Sequence, residues 1–189
     1  VGWLAARNAI TAPVFAFAMF LAHIRWREKG NPVHLILAVL LLTFSLLSGE
    51  SGVAIAGYLF AYACFLDPKG KFRGVFSLFP YATVVVFWRL AYVRMGYAAL
   101  GTGLYIDPGK NPVQFLLAVM QRLPVLLLGQ LLGPNSGAVT LLPDNLAIFY
   151  VAFSVVVIVV IFLILAPQLK RDCVSQFFAL GMVLSTIPS

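Results

Sequence analysis

The sequence predicts an all-α, polytopic transmembrane helical bundle of about six to seven membrane helices, with short loops and one interfacial or re-entrant helix. Three observations predict it. The 189 residues are 62% hydrophobic and 10% charged, with a mean hydropathy of +0.99, whereas soluble domains average about 25% charged residues. A domain of this size must clothe its surface with polar groups, so the apolar excess cannot all be core. The apolar runs are apolar on every side, which excludes the alternation of a barrel strand. Finally, the basic residues fall in short connectors, as Arg25, Arg27 and Lys29, as Lys69, Lys71 and Arg73, and as Lys170 and Arg171.

That last pattern reads the net charge of +7 as the positive-inside bias of cytoplasmic loops. Nucleic-acid binding is not expected, because no basic stripe lies on a soluble face. Cys64 and Cys173 lie at or near spans and read as small hydrophobes. Neither a disulfide framework nor a metal-ligand spacing is present. No internal repeat divides the chain, and residues 1–189 read as a single transmembrane domain. The opening at Val1 and the stop inside "FFALGMVLSTIPS" read as an internal piece of a longer membrane protein.

The expected spans are Asn8 to Ile24, Val33 to Ser48, Val53 to Leu66, Val75 to Leu90, Leu146 to Leu165, and Val174 onward. With Arg25–Lys29 cytoplasmic, Gly49–Gly52 falls outside and Lys69–Arg73 returns to the cytoplasm. Val75–Leu90 then delivers a long connector, "YVRMGYAALGTGLYIDPGKNP", to the outside. For Lys170 and Arg171 to be cytoplasmic as well, Val113–Leu132 must not cross. Its Gln114, Gln121, Arg122, Pro124 and Gln130 suit a helix lying in the interface or re-entering.

Glu50, in "LLSGESGVAI", sits between two apolar runs. A carboxylate in hydrocarbon costs at least about 2.5 kcal/mol on insertion scales. The flanking arms have about 14–16 residues, roughly 21–24 Å of helix, against about 30 Å of hydrocarbon. The "GESG" turn is therefore expected below the outer surface, with Glu50 lining a wet outward-facing cavity near guanidinium groups. Ser48 or Ser51 would cap the following helix, with Glu50 near its positive end. The other reading of Glu50 is a helix-cap carboxylate paired with an arginine for folding alone.

Arg7 precedes the first span at the level of Glu50, as a snorkelling anchor or as a phosphate-gripping guanidinium. Arg89 ends a span between Trp88 and Tyr92 and reads as part of an interfacial belt. Arg94, Tyr97, Asp107 and Lys110 populate the outer connector, where Asp107 before Pro108 and Gly109 is turn chemistry. Arg122 could meet an anionic headgroup from an interfacial helix. His23 and His34 flank the first cytoplasmic connector and read as structural. No catalytic triad, zinc pattern, P-loop or paired carboxylates can be assembled, so no catalytic residue is expected within these residues.

Taken together, "VGWLAARNAITAPVFAFAMFLAH", "LLSGESGVAIAGYLFAY" and "NPVQFLLAVMQRLPVLLLGQLLGP" resemble, in order, three elements of the polytopic glycosyltransferases of the C superfamily. The likeness is to the O-mannosyltransferase-like branch associated with tetratricopeptide repeats. The resemblance implies transfer of a sugar from a polyprenyl-phosphate carrier to an acceptor on the extracytoplasmic side, in a bacterial inner membrane. It implies that Arg7 matches the arginine of the first motif, and Ser48 and Glu50 the serine and glutamate of the second. The second motif's lysine is Gly49 here, and the first motif's acid is replaced by Asn8 or Ala9. The base, and any divalent metal, would belong to residues upstream of Val1.

The expected partners are membrane lipids, a lipid-linked sugar and other membrane subunits. The expected carrier-phosphate residues are Arg7, Ser48, Glu50, Arg94 and Arg122, with Tyr97, Asp107 and Lys110 in the outer loop. Two other functions stay open. One is a non-catalytic subunit or scaffold that has lost the motif's lysine and acid. The other is a transporter core with Glu50 as coupling group.

Overall fold

The computed structural model describes residues 2–96, 111–133 and 143–187, with the side chains of residues 2–9 and 144 outside that set. The described chain is helical throughout, and no strand occurs among the described residues. In order it forms α1 (Gly2–Lys29), α2 (Pro32–Ser48), a 3-10 turn (Glu50–Ala54), α3 (Ile55–Phe65), α4 (Lys71–Phe76), α5 (Phe79–Arg94), α6 (Pro112–Leu132), α7 (Asp144–Arg171) and α8 (Cys173–Thr186).

The breaks follow local chemistry. Gly30, at φ 72°, takes the left-handed conformation that ends α1, and its N–H donates to the Trp26 carbonyl at 2.8 Å. Asn31 then starts α2: its Oδ1 accepts from the Val33 N–H at 2.9 Å, and Pro32 holds the first helical position. Past Ser48 the chain turns through extended Gly49 into the 3-10 turn that leads to α3.

Among the described residues, three stretches are long and apolar enough to cross a membrane: Lys71–Arg94, Pro112–Leu132 and Asn145–Arg171. That corrects the expected six to seven. The chain reversals leave α2 with 17 residues, α3 with 11 and α8 with 14. At 1.5 Å per residue these reach only about 17–26 Å, short of the hydrocarbon thickness.

The chain forms two compact units, Val1–Ala98 with Cys173–Ser189, and Ala99–Asp172. In the first, α1 and α2 are antiparallel. Ser45 Oγ donates to the Ala12 carbonyl at 2.7 Å, and Gly52 lies so close to Ser45 that a Cβ would collide with its hydroxyl. Helix α3 runs back from this corner and packs on α8 in the opposite sense. A Cβ on Gly57 would stand 2.6 Å from the Ser185 backbone, and one on Gly181 2.5 Å from the Tyr58 ring. Met19, Leu42, Leu59, Tyr62, Tyr81 and Phe177 form the core between these helices. Phe20 stacks on Phe177 with ring centres 6.0 Å apart.

This unit has two distinct ends. One holds Ser48, Glu50 and the last turns of α5. The other holds the last turn of α1, Asp67 and α4, and α8 starts there. Its basic residues include two of the three clusters expected to be cytoplasmic, and the third, Lys170 and Arg171, immediately precedes α8 in sequence.

In the second unit α6 packs on α7, burying Val125, Leu127 and Leu128 of α6 and Ser154 and Ile158 of α7. Gly133, at φ 80°, closes α6. Stretch Asn145–Arg171 has a mean hydropathy of 3.3, yet Ile148, Phe149, Leu163 and Ile164 are more than two-thirds exposed. An apolar face left open on this scale suits lipid as its solvent.

Candidate functional site

At the Glu50 end, the 3-10 turn lifts Glu50 to the surface in the first turn leading to α3, where a helix start favours negative charge. Its carboxylate accepts a hydrogen bond from the Tyr92 hydroxyl on α5. The Trp88 ring lies 5.1 Å from that of Tyr92 and steadies it. Arg89 stands one turn before Tyr92 on the same face of α5 and is half-buried, while Arg94 is exposed in the last turn. On α1, Arg7 lies five residues before Ala12, the residue clamped by Ser45, so its backbone belongs to this end too.

Beside this cluster runs an apolar cavity of about 410 Å³ between α2, α3 and α5. Its walls are Leu42, Gly52, Val53, Ile55, Ala56, Leu59 and Phe60 from α2, the 3-10 turn and α3, and Leu78, Tyr81, Ala82, Val85 and Val86 from α5 and the residue before it. The volume falls in the range of ligand sites, about 300–1,000 Å³. The cavity starts at Gly52–Val53, two residues from Glu50, and follows α5 toward Tyr81.

Several expectations change here. The cavity described here is apolar, and Glu50 is not among the residues that line it. Neither Ser48 nor Ser51 caps the following helix: Ser48 Oγ donates to the Phe44 carbonyl of its own helix at 2.8 Å, and no side chain caps the turn or α3. The partner found for Glu50 is a tyrosine, where an arginine was expected. Arg122 is exposed on α6, in the other unit. Tyr97, Asp107 and Lys110 lie outside the described residues.

The opposite end carries a cluster that sequence reasoning missed. Asp67, in the connector after α3, accepts from Arg27 Nε at 2.6 Å and Nη2 at 2.9 Å, and from the Lys69 backbone N–H at 2.8 Å. Both side chains are withdrawn from solvent, 7% exposed for Arg27 and 0% for Asp67. Burial pushes the Asp67 carboxyl up, but the Arg27 hydrogen bonds, the Lys69 N–H and the Arg27 charge outweigh it and hold the group below the usual carboxylate range. The sequence did carry a signal: Asp67 is the one acid in an otherwise basic connector, followed by Pro68.

Next to this pair, His23 is fully buried, with Nδ1 2.9 Å from the Tyr81 hydroxyl. Its ring meets Trp26, Tyr62 and Tyr81 edge-on at 5.3–5.7 Å between centres. This fits the structural role expected of it. Among the described residues, no cluster of three or more His, Cys, Asp or Glu could hold a metal ion.

Comparison with known proteins adds no identity: no protein-family model, curated protein or solved structure matches the chain.

Proposed function

We propose that this chain forms the donor-lipid part of an integral membrane glycosyltransferase that takes a sugar from a polyprenyl-phosphate carrier on the extracytoplasmic side. The observation that supports the reading is the apolar cavity between α2, α3 and α5, whose lining begins at Gly52, two residues past Glu50. A polyprenyl-phosphate sugar has the same two-part character, an apolar chain ending in an anionic head. The chain would lie along Gly52, Ala56, Ala82 and Val86. Its phosphate would meet Arg89 and Arg94 of α5.

Sugar transfer leaves negative charge on the departing phosphate, and preorganised guanidinium groups stabilise that charge as it develops. Arginine suits the task because its donors match phosphate oxygens in pairs. The role of Glu50 is positioning: it holds the Tyr92 hydroxyl and so sets the distance between the 3-10 turn and α5. Such an enzyme still needs a base to activate the acceptor, and no described residue at this end besides Glu50 carries a carboxylate.

A second reading is favoured by that same hydrogen bond. A carboxylate already engaged by Tyr92 can serve as a tie between helices in a non-catalytic subunit that retains a lipid. Sugar transfer by membranes carrying Glu50→Gln separates the two. The enzyme reading expects a loss of about tenfold or more with the protein still folded, and full retained transfer contradicts it.

A further inference from the structure

The geometry points to a built docking surface for anionic phospholipid headgroups at the Asp67 end, formed by Arg25, Lys29, Lys69, Lys71 and Arg73 with Phe72 and Phe76. Three observations carry it, and none depends on the donor-lipid site.

The first is convergence. The Arg27–Asp67 pair fastens the last turn of α1 to the connector after α3. A Cβ on Gly30 would lie 4.0 Å from Lys69 Nζ, so the Lys29 and Lys69 regions are neighbours although 40 residues separate them in sequence. Arg25, Lys29, Lys69, Lys71 and Arg73 are all exposed.

The second is charge. Within Val1–Ala98 and Cys173–Ser189 the acids are Glu28, Glu50 and Asp67. Glu50 is at the far end, and Asp67 is saturated by Arg27 and the Lys69 N–H. Within this unit that leaves Glu28 to oppose five exposed cations, with Asp172 next to Cys173 just across the unit boundary. The surface is therefore complementary to an anion array, and clusters of four to eight basic residues beside a membrane helix are read as binding acidic headgroups.

The third is the shape of α4. Gly74 anchors it, because a Cβ there would stand 2.7 Å from the Ala63 carbonyl, so this face lies flat on α3. On the opposite side Phe72 and Phe76, four residues apart and neighbours on a helix, are 83% and 73% exposed. Lys71 and Arg73 flank that aromatic stripe, one on each side. Aromatic rings between cations make up the face of a helix lying at the headgroup boundary.

The test uses the full chain in mixed lipid nanodiscs, with phosphatidylglycerol offered against phosphatidylcholine and retained lipid counted by native mass spectrometry. A favourable basic contact near an anionic surface is worth roughly fivefold per residue. Wild type should therefore prefer phosphatidylglycerol by roughly fivefold or more. The triple variant Lys69→Gln, Lys71→Gln, Arg73→Gln should lower that preference by about fivefold or more, with its melting temperature unchanged. The charge-conserving pair Lys71→Arg, Arg73→Lys should keep the preference. Equal retention of the two lipids by wild type, or an undiminished preference in the folded triple variant, overturns the proposal. So does a charge-conserving pair that loses as much as the neutral triple, because the surface would then not act through charge.

Discussion

The two ends of the first unit handle an acidic side chain in opposite ways. At one, Asp67 is fully withdrawn from solvent and met by a bidentate guanidinium and a backbone N–H. At the other, Glu50 is exposed and takes one tyrosine hydroxyl. A buried charge with every acceptor filled is committed to holding the fold, since removing one partner strands the other. An exposed carboxylate with a single hydrogen-bond partner keeps capacity to meet something else. The difference teaches that the acid most conspicuous in the sequence is not the one that fastens the structure.

The largest expected effect follows from that contrast. Asp67→Ala should cost about 3 kcal/mol of stability in detergent, because it leaves the buried Arg27 uncompensated. Replacing both partners, Arg27→Met with Asp67→Leu, should recover most of the loss. A single variant within 0.5 kcal/mol of wild type, read by chemical unfolding (a threshold set by ordinary surface substitutions), would erase the distinction between the ends. The pH dependence has a definite sign. Because the Asp67 carboxyl is held below its ordinary range, the pair stabilises the protein fully above about pH 4, the unfolded carboxylate value. That contribution is lost as acid protonates the folded group. Unfolding midpoints measured from pH 7 to pH 3 should stay level and then fall, and the Asp67→Ala protein should lack the pair's share of that fall.

Next in size is the packing of α3 on α8. Gly57→Ala should cost about 1–3 kcal/mol, the usual price of overpacking, since its Cβ meets backbone of Ser185 and Leu184 that cannot swing aside. Gly181→Ala meets the Tyr58 ring and should cost less, because a ring can tilt. Equal melting temperatures for the two variants would show that α8 yields as readily as a side chain.

Smaller still is Ser45→Ala, which removes one hydrogen bond to the Ala12 carbonyl and should cost about 0.5–1.5 kcal/mol. Tyr92→Phe should leave stability unchanged and yet weaken retention of a polyprenyl phosphate. An unchanged lipid affinity together with a lower melting temperature would assign the Glu50–Tyr92 contact to folding and make the two ends alike.

Much of the fold was legible because apolar runs and their breakers are local signals. Gly30, Asn31 and Pro32 mark the first reversal, and the shortness of the arms around Glu50 is what leaves α2 and α3 below spanning length. The excess of expected spans came from counting apolar runs, which does not tell a membrane-crossing helix from a short one packed among others. Asp67 was passed over because its partner, Arg27, is 40 residues away and looked like one more basic loop residue. The cavity could not be read at all. It depends on Gly52, Ala56 and Ala82 from different helices leaving space together, and no spacing within one segment records that. Of the site residues, Arg7, Ser48, Glu50 and Arg94 lie toward one end of the first unit by backbone position alone, and Arg122 belongs to the other unit.

The most direct measurement is native mass spectrometry of the purified full chain with polyprenyl phosphate. The comparison is wild type with Ala82→Trp, which fills the cavity, and with Arg89→Gln, Arg94→Gln, which removes the guanidinium groups of the last turns of α5. The account expects one lipid held by wild type, none by the filled variant, and at least tenfold weaker retention by the stripped one. Equal binding by all three folded proteins would contradict it.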